Sequence, residues 1–410
     1  MRHAGFIHAA RRALALALLT GPMLNAHADV ITDWNTKAGD IVVESKLGTP
    51  PAVRVMAVAQ TAVYSAVSGI TQSHPRGAPP AGTQGASVDA AVAAANRTVL
   101  VRLLPNQQAS IDAAYQAALA TIPEGQAKAA GLVAGERAAL AVLAQRANDA
   151  VVTVETYRPH TTAGAYVPTA SPAGPQWPQR TTWLMTSAAQ FRPGPPPPLT
   201  SAAWARDYNE VKEIGGKGST RRSAEQTEIA RFWEYSLPPI YYGVVRSVAS
   251  QPGRDVTRNA RLFAVVAQAM DDAMISVFDS KYQYNFWRPA TAIRNGDIDG
   301  HDATQRDASW TPLIEAPMHP EYPSAHAILA ATLGSVLMAD VGDEPMPVLT
   351  TSSPTAKGAA RRWTSVDDFV REVADSRIYA GIHYRTSTET GTAMGRSIGE
   401  LASRLIPSPD

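Results

Sequence analysis

AVRVMAVAQTAVYSAVSGI, residues 52–70, repeats its apolar side chains at spacings of three and four, the stripe of a helix that packs against others. The same spacing recurs over 88–104, 126–148 and 257–280. Alanine dominates several of these runs, which favours close helix contacts. Alternating runs of about five to eight residues, the mark of half-buried strands, are scarce. Neither a G-x-G-x-x-G nor a G-x-x-x-x-G-K-[ST] pattern occurs. The reading is an all-α protein with strands limited to short pairs.

Outward from these stripes, 159–198 breaks the pattern. Pro159, Pro168, Pro172, Pro175, Pro178, Pro193 and the run Pro195 to Pro198 forbid continuous helix. We read an N-terminal helical half over 29–158, a Pro-rich connector over 159–198 and a second helical half over 199–410. The connector's aromatics, Tyr166, Trp177, Trp183 and Phe191, predict packing across the protein rather than a free linker.

At the N-terminus, Arg2, Arg11 and Arg12 precede the apolar run Ala13 to Leu19, followed by Pro22 and Ala26-His27-Ala28. That is the form of a secretory leader, with cleavage expected after Ala28. The apolar run is shorter than the roughly 18 residues of a membrane span. The expectation is a protein exported to the periplasm or secreted, with no span after cleavage. The whole chain carries 37 Lys and Arg against 36 Asp and Glu, for a net +1; losing the leader leaves the remainder slightly acidic. No basic excess marks a nucleic-acid binder. With no cysteine among 410 residues, disulfides, thiolate nucleophiles and Cys-ligated metals are excluded.

Three stretches of the second half carry chemistry. In Lys281 to Pro289, seven residues separate Lys281 from Arg288, about 20° short of two helical turns, so both project from one side and Pro289 stops the helix. In His319-Pro-Glu-Tyr-Pro-Ser324-Ala325-His326, Ser324 suits an N-cap before an apolar helix, whose first free N–H groups and dipole form an oxyanion cradle. In Ser376 to Arg385, the helix is predicted to end at Gly381, letting the chain turn His383 back toward Arg377. Together they supply three cations, neutral donors and two imidazoles, a set suited to a multiply charged tetrahedral oxyanion.

In order and local wording these stretches resemble the vanadium-dependent haloperoxidase and type 2 phosphatidic-acid-phosphatase superfamily, whose motifs are K-x6-R-P, P-S-G-H and S-R-x5-H. The likeness spans about 271–400, and Phe286-Trp287-Arg288-Pro289 with the run 376–385 places it nearer the soluble haloperoxidase branch. That resemblance implies two packed helix bundles and a vanadate cofactor. His383 would bind vanadium, and Lys281, Arg288, Ser324, the Ala325 N–H and Arg377 would hold the vanadate oxygens. His326 would act as acid–base, and Lys281 would assist catalysis. The substrates would be hydrogen peroxide, a halide (bromide or iodide favoured) and a small organic acceptor. His319 falls where bromo- and iodoperoxidases carry a histidine near the halide; a loop-capping role is its alternative. The same residues also suit an exported acid phosphatase, with His383 forming a phosphohistidine from a phosphate ester, or a non-catalytic oxyanion-binding or cell-envelope protein. Oligomeric state is left open.

Two positions depart from the family pattern. Ala325 replaces the glycine of P-S-G-H, and Ser387 replaces an aspartate often found four residues after the last histidine. For the resulting gap beside His383, Asp375 or Glu389 is the expected substitute. Asp271-Asp272 is read as a solvated pair, Asp297 to Asp302 as an Asx-rich turn rather than a calcium loop, and Gly215 to Ser219 as a flexible turn.

Overall fold

The computed structural model describes residues 29–71, 83–150 and 157–406. The leader expected over 1–28 lies outside the described residues. The first five helices are α1 (Val30–Glu44), α2 (Thr49–Thr71), α3 (Val88–Leu103), α4 (Gln108–Leu119) and α5 (Gln126–Gln145). After the connector come α6 (Ala202–Ile214), α7 (Ala224–Phe232), α8 (Pro238–Ala249), α9 (Val256–Tyr284), α10 (Pro289–Arg294), α11 (Ala325–Val341), α12 (Val366–Tyr379) and α13 (Arg385–Leu405). A single antiparallel hairpin, β1 (Leu349–Ser352) and β2 (Ala360–Trp363), is the only sheet among the described residues. The protein is thus all-α, built as two packed helix bundles.

The helix starts follow from local chemistry. Asp29, Ser87, Ser201, Asp255 and Ser365 each accept a backbone N–H of their helix's first turn, and Ser223 with Gln226 completes a capping box. In the first bundle α3 lies against α2 and α5, and α2 packs along α9, which joins the two halves. By length and composition α2 could cross a membrane, but 78% of its apolar window is buried inside the fold. In the second bundle α11 is held between α9, α12 and α13. Gly391, Gly395 and Gly399 let α13 approach the α11 backbone: a Cβ there would come within 2.6, 2.3 and 2.5 Å of the Ser324, Ile328 and Thr332 carbonyl oxygens. That contact fixes the start of α11, where the site lies.

Residues 157–201 hold no α-helix. They strap across the end of α9 through backbone bonds from Tyr166 to Asn285 (2.7 Å), Trp287 to Gly164 (2.9 Å) and Ala173 to Met318 (2.6 Å). Tyr166 and Trp177 are buried, and Trp183 and Phe191 pack on the main core. The strap is locked by Asp271 and Asp272, and this corrects their reading as a solvated pair, since both are fully buried. Asp272 accepts the backbone N–H groups of Trp183 (2.7 Å), Leu184 (2.8 Å) and Met185 (2.9 Å). Asp271 accepts from the Trp183 indole (2.7 Å) and from Arg54 of α2 (2.5 Å). Because α9 is buried on nearly every side, an acid on it has no solvated face to occupy.

Candidate active site

Lys281 is in the last turn of α9, but Arg288 is not on that helix. Asn285 adopts a left-handed conformation (φ 48°, ψ 39°) that ends α9, and Arg288 is the N-cap of α10, with Pro289 opening the helix rather than stopping it. The shared-face argument for the two cations therefore fails. A tertiary turn brings them together instead: both meet the segment 319–323. The Lys281 ammonium donates to the carbonyls of Pro320 (3.0 Å), Glu321 (2.7 Å) and Pro323 (2.6 Å). Arg288 donates from Nε to the His319 carbonyl (3.0 Å) and from Nη1 to the Ile382 carbonyl (2.8 Å). Both cations thus brace the loop that leads into α11.

Ser324 occupies the N-cap position of α11, but its side chain makes no capping bond. Its hydroxyl is buried and without a partner, so the backbone alone starts the helix. Ala325 and His326 form the first turn, with their side chains on the wall of the cavity described below. On the other side, α12 ends at Tyr379 and Gly381 takes the left-handed conformation (φ 78°). The turn folds the chain back, and the His383 N–H reaches the Arg377 carbonyl at 3.3 Å.

The partner of His383 was missed by the sequence argument. Its Nδ1 lies 2.7 Å from Glu321 Oε1, which also accepts the Tyr384 N–H at 3.0 Å. Asp375 pairs with Arg385 instead, while Glu389 is not among the bonds to His383; Ser387 Oγ reaches Nδ1 only at 3.5 Å. Glu321 is fully buried. A carboxylate beside Nδ1 holds the proton there and leaves Nε2 as the unprotonated ring nitrogen. Nε2 faces Arg288 Nη1 at 3.2 Å. A guanidinium can only donate, so His383 Nε2 accepts there, while His319 Nδ1 stands 3.0 Å from Arg288 Nη2 and 3.2 Å from the Pro320 carbonyl. His319 also packs on Phe278, ring centroids 5.2 Å apart.

Electrostatics follow from burial and an excess of cations. Lys281, Arg288 and Arg377 are all at most 2% exposed. Burial holds Arg288 and Arg377 down at about 10 and the Lys281 ammonium well below its ordinary value. His383 is pushed well below the imidazole range by burial, then by Arg288 and Lys281. His326 is pushed the same way by burial, then by Arg377 and Lys281, and His319 by burial, Lys281 and Arg288. Burial raises Glu321 to about 7 against the opposing pull of Arg288 and Lys281. All three imidazoles are therefore neutral near pH 7.

Among the polar atoms here that are buried without a partner are Ser324 Oγ, His326 Nε2, Arg377 Nε and the second oxygen of Glu321, Oε2. Buried polar atoms are seldom left so. A hydroxyl and a guanidinium N–H beside the unprotonated Nε2 of His383 suit a tetrahedral oxyanion held at one imidazole, with His326 Nε2 next to them to exchange a proton. Vanadate fits that set. Among the described residues no group of three or more His, Asp or Glu could cage a bare metal ion. Lys281 and Arg288 contribute charge more than contact, because their N–H groups are largely directed at carbonyls.

The remaining polar motif is structural. Asp299 accepts the His301 N–H (2.9 Å), the Thr304 hydroxyl (2.8 Å) and the Trp204 indole (2.8 Å), an Asx turn.

The family model of the VCPO second helical-bundle domain matches residues 261–408. Vanadium chloroperoxidase of Curvularia inaequalis is 28% identical over 200 residues, covering 38% of this chain and 32% of that protein. The chain thus spans about a third of the length of that curated relative. The crystal structure of a bacterial vanadium-dependent iodoperoxidase superposes with a TM-score of 0.76 at 24% identity, covering 92% of this chain and 95% of that one. The holo-type bacterial vanadium-dependent chloroperoxidase gives 0.68 at 17% identity, with 88% and 93% covered. The fold is that of these vanadium haloperoxidase structures, and residues 261–408 are similar to the VCPO second helical-bundle domain.

Proposed function

We propose that this protein is a vanadium-dependent haloperoxidase that oxidises bromide or iodide with hydrogen peroxide to hypohalous acid. The observation that carries the reading is the pinned tautomer of His383, with Nδ1 bonded to Glu321 at 2.7 Å and Nε2 turned toward Arg288. His383 would hold vanadate through Nε2, with Ser324, the Ala325 N–H and Arg377 on its oxygens and Lys281 and Arg288 balancing its charge. Vanadate bound there supplies a Lewis acid that activates peroxide toward halide attack. His326 is neutral, with Nε2 unpartnered, and is therefore in the form to take a proton from hydrogen peroxide and return it to the departing hydroxide. His319 lines the cavity beside His326 and His383 and is the candidate group for a halide.

One observation favours a second reading. The same unprotonated Nε2 is a nucleophile in form, so a phosphate ester in the oxyanion set would be attacked by His383, with His326 protonating the leaving alkoxide. The test uses the mature protein incubated with orthovanadate. Bromination of an activated diketone with peroxide, absent without vanadate, supports the haloperoxidase. Hydrolysis of a chromogenic phosphate ester with no bromination overturns it. We infer export from the leader-like residues 1–28; secreted or periplasmic material that begins at Met1 would contradict this.

A further inference from the structure

The cavity at the site is far larger than the proposed inorganic reactants need. Its volume is about 700 Å³, whereas peroxide and a halide each take the room of one or two waters, about 30 Å³ apiece. Small-molecule sites run to about 300–1,000 Å³ and are mainly apolar with a few placed polar groups. His319, His326, Arg377 and His383 of the site line it. Its walls include Met274, Phe278, Leu329 and Trp177. The connector adds Arg180 to the lining.

Arg180 is built in rather than loose. Its Nη1 donates to the Asp149 carbonyl at 2.7 Å, and its guanidinium lies over the Trp177 ring, 4.5 Å from the centroid. It is half-buried, and no ion pair to it is found among the described residues; the Asp149 carboxylate faces Arg54 instead. Trp177, 9% exposed, has an indole N–H with no acceptor. An aromatic-walled chamber thus carries, besides the oxyanion groups, a cation without an ion-pair partner and an unanswered donor on a strap held to α9 by Asp272.

We propose that this cavity binds the organic acceptor, and that the acceptor is an electron-rich aromatic acid: its ring lies among Trp177, Phe278, Met274 and Leu329, and its carboxylate pairs with Arg180. The chemistry rests on the haloperoxidase reading; the binding does not. With ArH as the acceptor and HOBr as the oxidant formed at the site, a C–Br bond forms as the Br–O and C–H bonds break. The ring proton joins the departing hydroxide, giving ArBr and H2O. Holding the ring at the point of release directs halogenation before the hypohalous acid escapes.

The test uses 4-hydroxyphenylpropionate and its methyl ester with the full mature chain. Calorimetry without peroxide should show the acid binding at least about tenfold more tightly than the ester. R180Q should bring the ratio to near one, and R180K should restore part of it. In turnover with vanadate, bromide and peroxide, the acid should be preferred through KM, with a ratio of brominated products unlike that from free hypobromous acid. Equal binding of acid and ester, no binding of either, or products matching the free reagent overturns the proposal. If neither probe nor an activated diketone is brominated, the haloperoxidase reading fails, while calorimetry still decides the cavity.

Discussion

Two buried polar centres sit on α9 and are built on opposite rules. In the strap lock, two carboxylates, Asp271 and Asp272, face Arg54, an indole and three backbone N–H groups. Nearer the C-terminal end of the helix, three buried cations and three neutral imidazoles face one buried carboxylate, Glu321. The first centre answers its carboxylates with one guanidinium and four N–H donors and holds structure. The second leaves charge and donors over, which is costly to a fold unless an anion completes it.

The largest expected effect falls on the unbalanced centre and on rate alone. Replacing His326 by Ala removes the proton acceptor without touching the oxyanion donors. Bromination should fall by about 100- to 10,000-fold, the usual worth of an acid–base group, while vanadate still binds. His383→Ala should abolish both. Steady-state kinetics beside a vanadate titration separates the two variants; equal loss of vanadate binding in both would dissolve the assignment.

Stability sharpens the contrast. Arg54→Met strands Asp271 and should cost about 3–5 kcal/mol, the penalty for breaking a buried ion pair from one side. Arg377→Met makes the same chemical change where cations are in excess. It should shift the stability of the vanadate-free protein by less than about 1 kcal/mol. Urea unfolding of both variants checks this, and equal losses would show that the site's charge is balanced after all.

A smaller effect tests the missed partner. Glu321→Gln keeps the shape but can no longer hold the His383 proton as firmly. Vanadate affinity, read by calorimetry, should fall about 10- to 100-fold with the helical content unchanged. An unaltered affinity would make Glu321 a loop residue only.

What was legible in the sequence was local. The helical stripes, the turn at Gly381 and the three clusters of reactive residues are each written within about ten positions. Pairings across the fold were not. Glu321 lies 62 residues from His383, and the spacing rule that looked near Ser387 could not reach it. Its signal was an acid within the otherwise apolar and proline-rich run 320–325. Asp271 and Asp272 carried a similar signal, two acids on a helix whose other faces are apolar. Asn285 could have warned that α9 ends before Arg288, because asparagine tolerates the left-handed conformation.

The smallest effect concerns pH and again separates the two centres. In the folded protein the His326 pKa is well below its ordinary 6.5, so as pH falls through 6.5 the unfolded chain takes up a proton that the folded chain refuses. More protons on the unfolded state means that stability falls as pH falls. Between pH 7 and pH 5.5 one such histidine removes about 1.4 kcal/mol, one pKa unit's worth. Glu321 and Asp272, raised to about 7 and about 6, act in the opposite sense, because the folded state takes up their protons first. The absolute curve therefore mixes both signs, and the difference between two proteins isolates one of them. His326→Gln should be better placed relative to the wild type at pH 5.5 than at pH 7 by about 1.4 kcal/mol. The measurement is urea unfolding of both at the two pH values without vanadate. A difference that stays constant would mean that His326 accepts a proton in the folded state as readily as in the unfolded one, which would remove the physical basis for keeping it neutral as the base.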